Sequence, residues 1–442
     1  MINGPFTFSP DGNSLVGPVP GLRNYWAACA VMAGFSQGSR VSLTLAEWMV
    51  EGAASRDVFA LDVARFGPWI TPGYTRRKVI EYYQRRFAVS YPNEELPAAR
   101  PCRPTPMHGY WQAADAVFGN VYGMETLNCF TPACSPLREI PSFRRSDGFA
   151  AVGAECRAVR QGVGIGDIHT FSKFMVHGPA VADWLDFILA GRLPLVGRLA
   201  LAPMLIEQGG VIGNFSAARL TEARFQLTAS YAAQDFHRCW FDQHLPDDGG
   251  VVIDNLSDDL SGLHIAGPRA RDLLARVVRG DVGSAALPFM SLAEMDLGVT
   301  TARIPRVSYI GDLGYEIYVP TAEVVALYHE LMAHDGDLGL RPFGARALMS
   351  LRLEKFFGAW MHEYKPDYGP AETGLNRFVA CGKAAEFIGK SAAAIREAGP
   401  ERQLCAVVVA AEDADVWGDE PIWIEDTVVG FVTSDGFAHC RQ

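Results

Sequence analysis

The chain has 442 residues, a formal net charge of −11 and a hydrophobic fraction of 49%. That length suits two to four domains at roughly 100–200 residues each, and the composition is that of a folded chain. The acidic balance, with no charged tail, excludes a nucleic-acid surface, which needs clustered Lys and Arg.

The first stretch opens on turn chemistry. Ser9-Pro10-Asp11-Gly12-Asn13 and Gly17-Pro18-Val19-Pro20-Gly21 read as loops. Tyr25 to Phe35 reads as a buried strand, and Leu43 to Glu51 as a short helix stopped by Gly52. Thr75 to Phe87 is an amphipathic helix. Val79, Tyr82, Tyr83 and Phe87 form its apolar face, and its basic face is solvated. Pro92 to Pro106 carries five prolines and reads as a linker, and a second break covers Pro132, Pro136 and Pro141.

Regular α and β segments follow from about residue 148. Ala180–Leu189 and Ala270–Val278 are helical in pattern. Phe215–Leu220 and Phe225–Thr228 read as paired strands, and Arg303–Tyr309 and Tyr315–Val319 as a hairpin around Gly311-Asp312-Leu313-Gly314. Phe343 to Phe357 reads as a long helix with Ala347, Leu348, Leu351 and Phe356 on its apolar face. Leu404–Ala410 and Ile422–Val432 are β-rich, and no internal repeat is read.

The nine cysteines are scattered, odd in number and without a C-x-x-C pair; Cys129 and Cys134 alone lie close together. Reduced thiols and a cytoplasmic location fit this usage better than a disulfide framework. No His or Cys cluster has zinc-ligand spacing, so no metal is expected. Met1–Pro10 has no signal-peptide pattern, and the Tyr25–Phe35 run is too short for a bilayer span of about 20 residues, so no membrane role is expected.

Gly162-Val163-Gly164-Ile165-Gly166 resembles a fragment of a phosphate-binding loop, but glycines in a tight turn explain it without a ligand. No Gly-x-Ser-x-Gly elbow supports a hydrolase. His169, His177 and His237 sit near candidate site segments, with a structural role the expected one for each.

Four segments carry a more specific signal in their order. They are Pro203-Met204-Leu205 with Gly209–Phe215, Leu263–Ala270, Arg306–Ile317, and Gly344–Glu354. Together they resemble the folate-binding domain of the glycine-cleavage T-protein (aminomethyltransferase) family. Asp419–Trp423 with Val429–Ser434 looks like that family's C-terminal barrel, here truncated. Asn3–Gly12, Gly34–Gly38 and Pro92–Pro97 resemble the end of the flavin domain and the linking region of the dimethylglycine and sarcosine dehydrogenases.

The resemblance implies a mixed α/β (α+β) fold. Residues 1–60 would be a remnant of the FAD-dependent domain, 61–147 a linking domain, 148–380 the folate-binding domain and 381–442 the partial β-barrel. It implies a tetrahydrofolate-dependent one-carbon transfer from an N-methylated glycine, with a small-molecule amine and folate as ligands. FAD is not expected in this chain alone, because Ser39, Arg40 and Ser42 fill a place where the flavin enzymes are glycine-rich; a separate flavin-binding chain is the implied partner. The alternatives are a catalytically inactive folate-binding or scaffold remnant, and a flavin-independent folate-dependent demethylase.

Glu316 matches the family's pterin-binding glutamate, and Arg352 its helix arginine near the folate. Arg352 could meet an anionic tail or pair with a neighbouring acid. Tyr309 and Tyr315 could stack on a flat ring. Asn214 stands where the family has its catalytic aspartate; an amide still accepts a hydrogen bond but cannot take a proton.

Overall fold

The computed structural model describes residues 7–131 and 140–440. The sequence break at Pro132 and Pro136, Cys134 and the first six residues lie outside the described residues.

In the first hundred residues the sequence reading needs revision. Only Trp26–Cys29 of the expected buried strand is extended. It pairs antiparallel with Leu15–Pro18, and Tyr25 is 58% exposed. Gly34–Glu51 is one 18-residue helix that takes in Gly38–Ser42. Gly52 ends the helix as expected, at φ 78°. The next helix, Pro72–Gln84, starts where Thr71 accepts a hydrogen bond from the Tyr74 amide and Pro72 fills the first position. None of its residues is buried, and Phe87 beyond it is 92% exposed, so its apolar stripe is not a core face here. A hairpin of Ala116–Val121 and Met124–Phe130 follows. The buried Glu155 carboxylate accepts from the Phe130 and Gly344 amides at 2.6 and 2.9 Å, fastening this hairpin to the centre of the molecule.

The centre is two units with the same order of elements. The first runs through strand Phe171–His177, helix Val181–Ile188, strands Leu199–Leu205, Val211–Thr221 and Arg224–Ser230, helix Gln234–His244 and strand Val252–Asn255. The second runs through Leu260–Ala266, helix Ala270–Val277, Leu292–Asp296, Thr301–Pro305, Gly314–Pro320, helix Val324–Ala333 and Leu340–Pro342. Read from the last strand, each sheet places its last strand first, then its first, fourth, third and second. The second sheet differs in that Val163–Asp167 is inserted between its first and last strands, which makes six strands against five.

The repeat extends to a sequence signature, Gly-Pro-x-x-x-Asp-x-Leu, at Gly178–Leu185 and Gly267–Leu274. Both glycines lead from the first strand into a helix at φ 132° and 128°. A Cβ at Gly178 would lie 2.3 Å from the Gly250 carbonyl oxygen, and one at Gly267 would lie 2.4 Å from that of Val159. Only glycine fits either place. The chain therefore does hold an internal repeat, against the sequence reading; outside this short signature the two units have diverged.

Each sheet buries one face under its own helices. Phe215, Ala217, Phe225 and Leu227 join Val181, Leu185, Trp240 and Phe241 in the first core. Leu263, Ile265, Tyr315, Ile317 and Val319 join Leu273, Leu274, Leu327 and Leu331 in the second. Strand alternation then sends the polar residues to the other faces, which look toward each other. Arg303 of the second sheet donates to Gln226 of the first at 2.5 Å across this layer.

Gly162–Gly166 is not a tight turn: Val163–Asp167 is a strand between two others. Cβ atoms on Gly164 and Gly166 would come within 2.8 and 3.0 Å of the Phe343 ring, so these glycines let Phe343 lie flat on the strand. The long helix expected from Phe343 is the nine-residue Ala345–Leu353; Phe356 leaves it at φ 59° and is 45% exposed. At the C-terminal end, Pro421–Ile424 pairs with Thr427–Phe431, Leu404–Ala410 forms no strand, and no barrel closes among the described residues. No helix among them is long and apolar enough to cross a membrane.

Candidate functional site

The facing polar layers open into a cavity of about 1200 Å³. Asn214, Ser216 and Thr228 line it from the first unit, and His264 and Glu316 from the second. Tyr309, Phe343, Trp360 and His362 close one side, Tyr74 and Tyr122 of the N-terminal region another, and Asp419 and Thr433 a third.

Glu316 projects from strand Gly314–Pro320 directly opposite His264 on the neighbouring strand. Its carboxylate accepts a 2.6 Å hydrogen bond from the Tyr318 hydroxyl. Burial pushes its pKa up to about 7, against the Tyr318 hydrogen bond and the charge of Lys173. The residue as a whole is half-buried because the cavity in front of it is open, while its carboxyl lies deep among protein atoms. His264 contacts the Ser308 hydroxyl through Nε2 at 3.2 Å, and burial pushes its pKa down to about 4, so it is neutral at pH 7. Asn214 faces the cavity across from these groups, and its Oδ1 is buried without a hydrogen-bond partner among the described residues. A buried acceptor left unpaired is costly and calls for a donor.

Asp167 lies at the cavity edge. Its carboxylate accepts from Thr105 Oγ1 at 2.9 Å, Trp111 Nε1 at 3.1 Å and the His169 amide at 2.9 Å, which ties the linking segment to the second sheet. Burial raises its pKa and these hydrogen bonds oppose the shift.

The structure thus brings Asn214, Glu316 and Tyr309 together at one cavity. Tyr309 stands in the loop before strand Gly314–Pro320, and its hydroxyl donates to the Gly358 carbonyl at 2.7 Å, leaving a ring edge on the cavity. Tyr315 is not there. It sits one residue from Glu316, faces the opposite side of the sheet, lies in the second core, and accepts from Arg271 Nε at 3.2 Å. Arg352 is 1% exposed and does not line the cavity. Its guanidinium donates to the Phe357 carbonyl at 2.7 Å, Glu363 at 3.1 Å and Ser434 Oγ at 2.6 Å. Thr433 donates to the other Glu363 oxygen at 2.8 Å, so Arg352 anchors the C-terminal segment instead of facing a ligand tail. Sequence reasoning missed His264, Tyr318 and Lys173, which only the strand register reveals.

His169 and His237 are buried away from the cavity, with pKa values pushed down by burial to about 3 and about 4. His177 pairs with Asp254 at 3.0 Å outside it. Among the described residues no group of three His, Cys, Asp or Glu is placed to hold a metal.

Comparison with known proteins identifies this arrangement. Residues 107–383 match the GCVT N-terminal domain, and residues 51–105 match the FAD dependent oxidoreductase central domain. Mitochondrial dimethylglycine dehydrogenase of Mus musculus is 33% identical over 100% of this chain and 51% of its own length. The chain thus spans about half the length of that relative. Aminomethyltransferase of Listeria monocytogenes is 30% identical over 65% of this chain and 78% of its own. The crystal structure of glycine cleavage system aminomethyltransferase T from Bartonella henselae has the same fold, with a TM-score of 0.63, 24% identity, and coverage of 76% of this chain and 86% of that one. The chain belongs to the aminomethyltransferase-domain family, and within it is a relative of the C-terminal part of the dimethylglycine and sarcosine dehydrogenases.

Proposed function

We propose that the chain binds tetrahydrofolate in the cavity between the two units and serves one-carbon transfer from an N-methylated glycine. The observation that carries this reading is the pairing of Glu316, an acceptor at the cavity floor, with the unpartnered Asn214 Oδ1 facing the same space. A reduced pterin presents N–H donors along one edge, which a carboxyl oxygen and an amide oxygen complement as acceptors. The cavity is large enough for the whole bicyclic ring. Bound tetrahydrofolate would supply the amine nitrogen that accepts the one-carbon unit.

The chain's own residues do the rest. Glu316 orients the donor edge, with Tyr318 holding its carboxylate in place. Tyr309 sets the cavity wall through its bond to Gly358. His264, neutral at neutral pH, adds no positive charge to the cavity. Asn214 accepts a hydrogen bond but moves no proton. Residues 51–105 match only the central domain of a flavin oxidoreductase, so the reading assigns amine oxidation to a flavin held outside this sequence.

The uncharged Asn214 supports a second reading, in which the cavity binds folate without completing the transfer. Both readings require binding. In calorimetric titration with tetrahydrofolate the wild-type chain is expected to bind. Glu316→Ala is expected to lose about 10- to 100-fold in affinity, the weight of a buried hydrogen bond to a charged group. A well-folded wild-type chain that takes up no heat would sink both readings.

A further inference from the structure

Beside the cavity lies a second, smaller space of about 30 Å³ that the reading above leaves unused. Its walls are mostly apolar: Trp48, Ala54 and Phe59 of the N-terminal region meet Ile212, Phe236 and Trp240 of the first unit there. Ring contacts fix these walls. Phe59 packs edge-on against Trp360 at 4.8 Å and against Phe236 at 5.6 Å between ring centres. Trp360 Nε1 donates to the Ile212 carbonyl at 3.1 Å. A space of this size takes one or two groups as small as a water or a methyl. Apolar aromatic walls favour the methyl, above all one carried on a cationic nitrogen.

Five residues line both spaces and so stand at their junction: Asp57, Trp360, Met361, Tyr364 and Lys365. Asp57 and Lys365 are opposite charges. Asp57 Oδ1 accepts from the Phe59 amide at 3.0 Å, and Oδ2 has no partner among the described residues. Lys365 Nζ lies 5.7 Å from the centre of the Tyr368 ring. Neither side chain has an ion-pair partner among the described residues, the other included. They are near enough that the lysine charge, with the Phe59 amide, opposes the rise that burial gives the Asp57 pKa. Opposite charges that share a junction without pairing are the complement of a zwitterion. Arg56 also lines the smaller space but not the cavity, so Lys365 is the cation common to both. Asp57 belongs to the segment that matches the FAD dependent oxidoreductase central domain, and Lys365 to the segment that matches the GCVT domain.

We propose that this junction binds a small N-methylated, zwitterionic amino acid: its ammonium on Asp57, its carboxylate on Lys365 and its N-methyl groups in the apolar space walled by Phe59 and Trp360. The proposal rests on the reading above for the choice of an N-methylated glycine; the charge pair and the apolar space stand apart from it. The amine is thereby held at the edge of the folate cavity, where the two matched segments meet.

The test is a ligand-observed NMR titration of the full chain with dimethylglycine. Isovalerate, which has the same shape with carbon in place of nitrogen, is the probe without the ammonium, and glycine is the probe without the methyl groups. Dimethylglycine is expected to bind about tenfold or more tightly than either. Asp57→Asn, which keeps an acceptor for the Phe59 amide, and Lys365→Met are each expected to weaken dimethylglycine by about tenfold or more. Ala54→Leu, which fills the apolar space, is expected to remove the preference for dimethylglycine over glycine. Should Ala54→Leu not fold, the two charge variants, at half-buried positions, carry the test. Dimethylglycine that binds no better than isovalerate, or equally to wild type and both charge variants, overturns the proposal. Tetrahydrofolate is titrated in parallel. A chain that binds tetrahydrofolate but not dimethylglycine overturns the proposal and leaves the folate reading standing. A chain that binds dimethylglycine through Asp57 and Lys365 but not tetrahydrofolate upholds the site and overturns the folate reading.

Discussion

The two central units share a strand order and a glycine-led helix start, yet their facing surfaces carry different chemistry. The first presents the uncharged Asn214, Ser216 and Thr228 with Lys173 buried beneath; the second presents Glu316, His264 and Tyr318. What the units have in common is backbone geometry, and what distinguishes them lies on the faces between them. The repeat builds two sheets that can meet, and the differences make the space between them a site. The inserted strand Val163–Asp167 adds to the asymmetry, since its glycines seat Phe343 at the cavity edge.

The comparison can be broken at its shared part first. Gly178→Ala and Gly267→Ala each force a Cβ against a backbone oxygen at φ near 130°. Each is expected to cost about 3 kcal/mol, seen as a lowered urea midpoint of similar size in both variants. A loss in one unit and none in the other would show that the repeat is only topological.

The unshared part is sharpened by pH. The Glu316 pKa in the folded chain, about 7, lies above its ordinary 4.5, so the folded state holds the proton more tightly. This contribution to stability is fully present below pH 4.5 and is lost as pH rises through 7. Glu316→Gln is therefore expected to be more stable than wild type above pH 7, by roughly 2 kcal/mol, and to match it near pH 4. Equal stability at both pH values would mean that the carboxyl is well solvated.

The smallest effect is expected at Asn214. A new carboxylate in Asn214→Asp is expected to lower stability by about 1 kcal/mol above pH 6 and to change tetrahydrofolate affinity by less than about threefold. A gain in one-carbon transfer rate alongside would favour transfer over simple binding, and an unchanged rate would favour the binding-only reading.

Part of the fold was legible from pattern, as in the helix Ala270–Val277, and part only from the order of the segments that carry the resemblance, since the strand Val211–Thr221 was read as Phe215–Leu220 alone. Asn214 and Glu316 were read from that resemblance, and both line the cavity. Tyr315 could have been set aside from sequence alone: adjacent residues of a strand point to opposite faces, so it could not share a cavity with Glu316. Arg352 was harder, because its partner Glu363 lies in an irregular segment that no period predicts. The helix Gly34–Glu51 was read short because its first turn holds glycine and serine and lacks a side-chain cap. The repeat escaped because its signature is eight residues long and rests on a backbone angle, not on a hydrophobic pattern.

The most direct test of the account is an experimental structure of the chain with tetrahydrofolate bound. The account predicts the pterin between the units, its N–H edge on Glu316 and a further donor on Asn214 Oδ1. A pterin bound elsewhere, or held by residues of one unit alone, would contradict it.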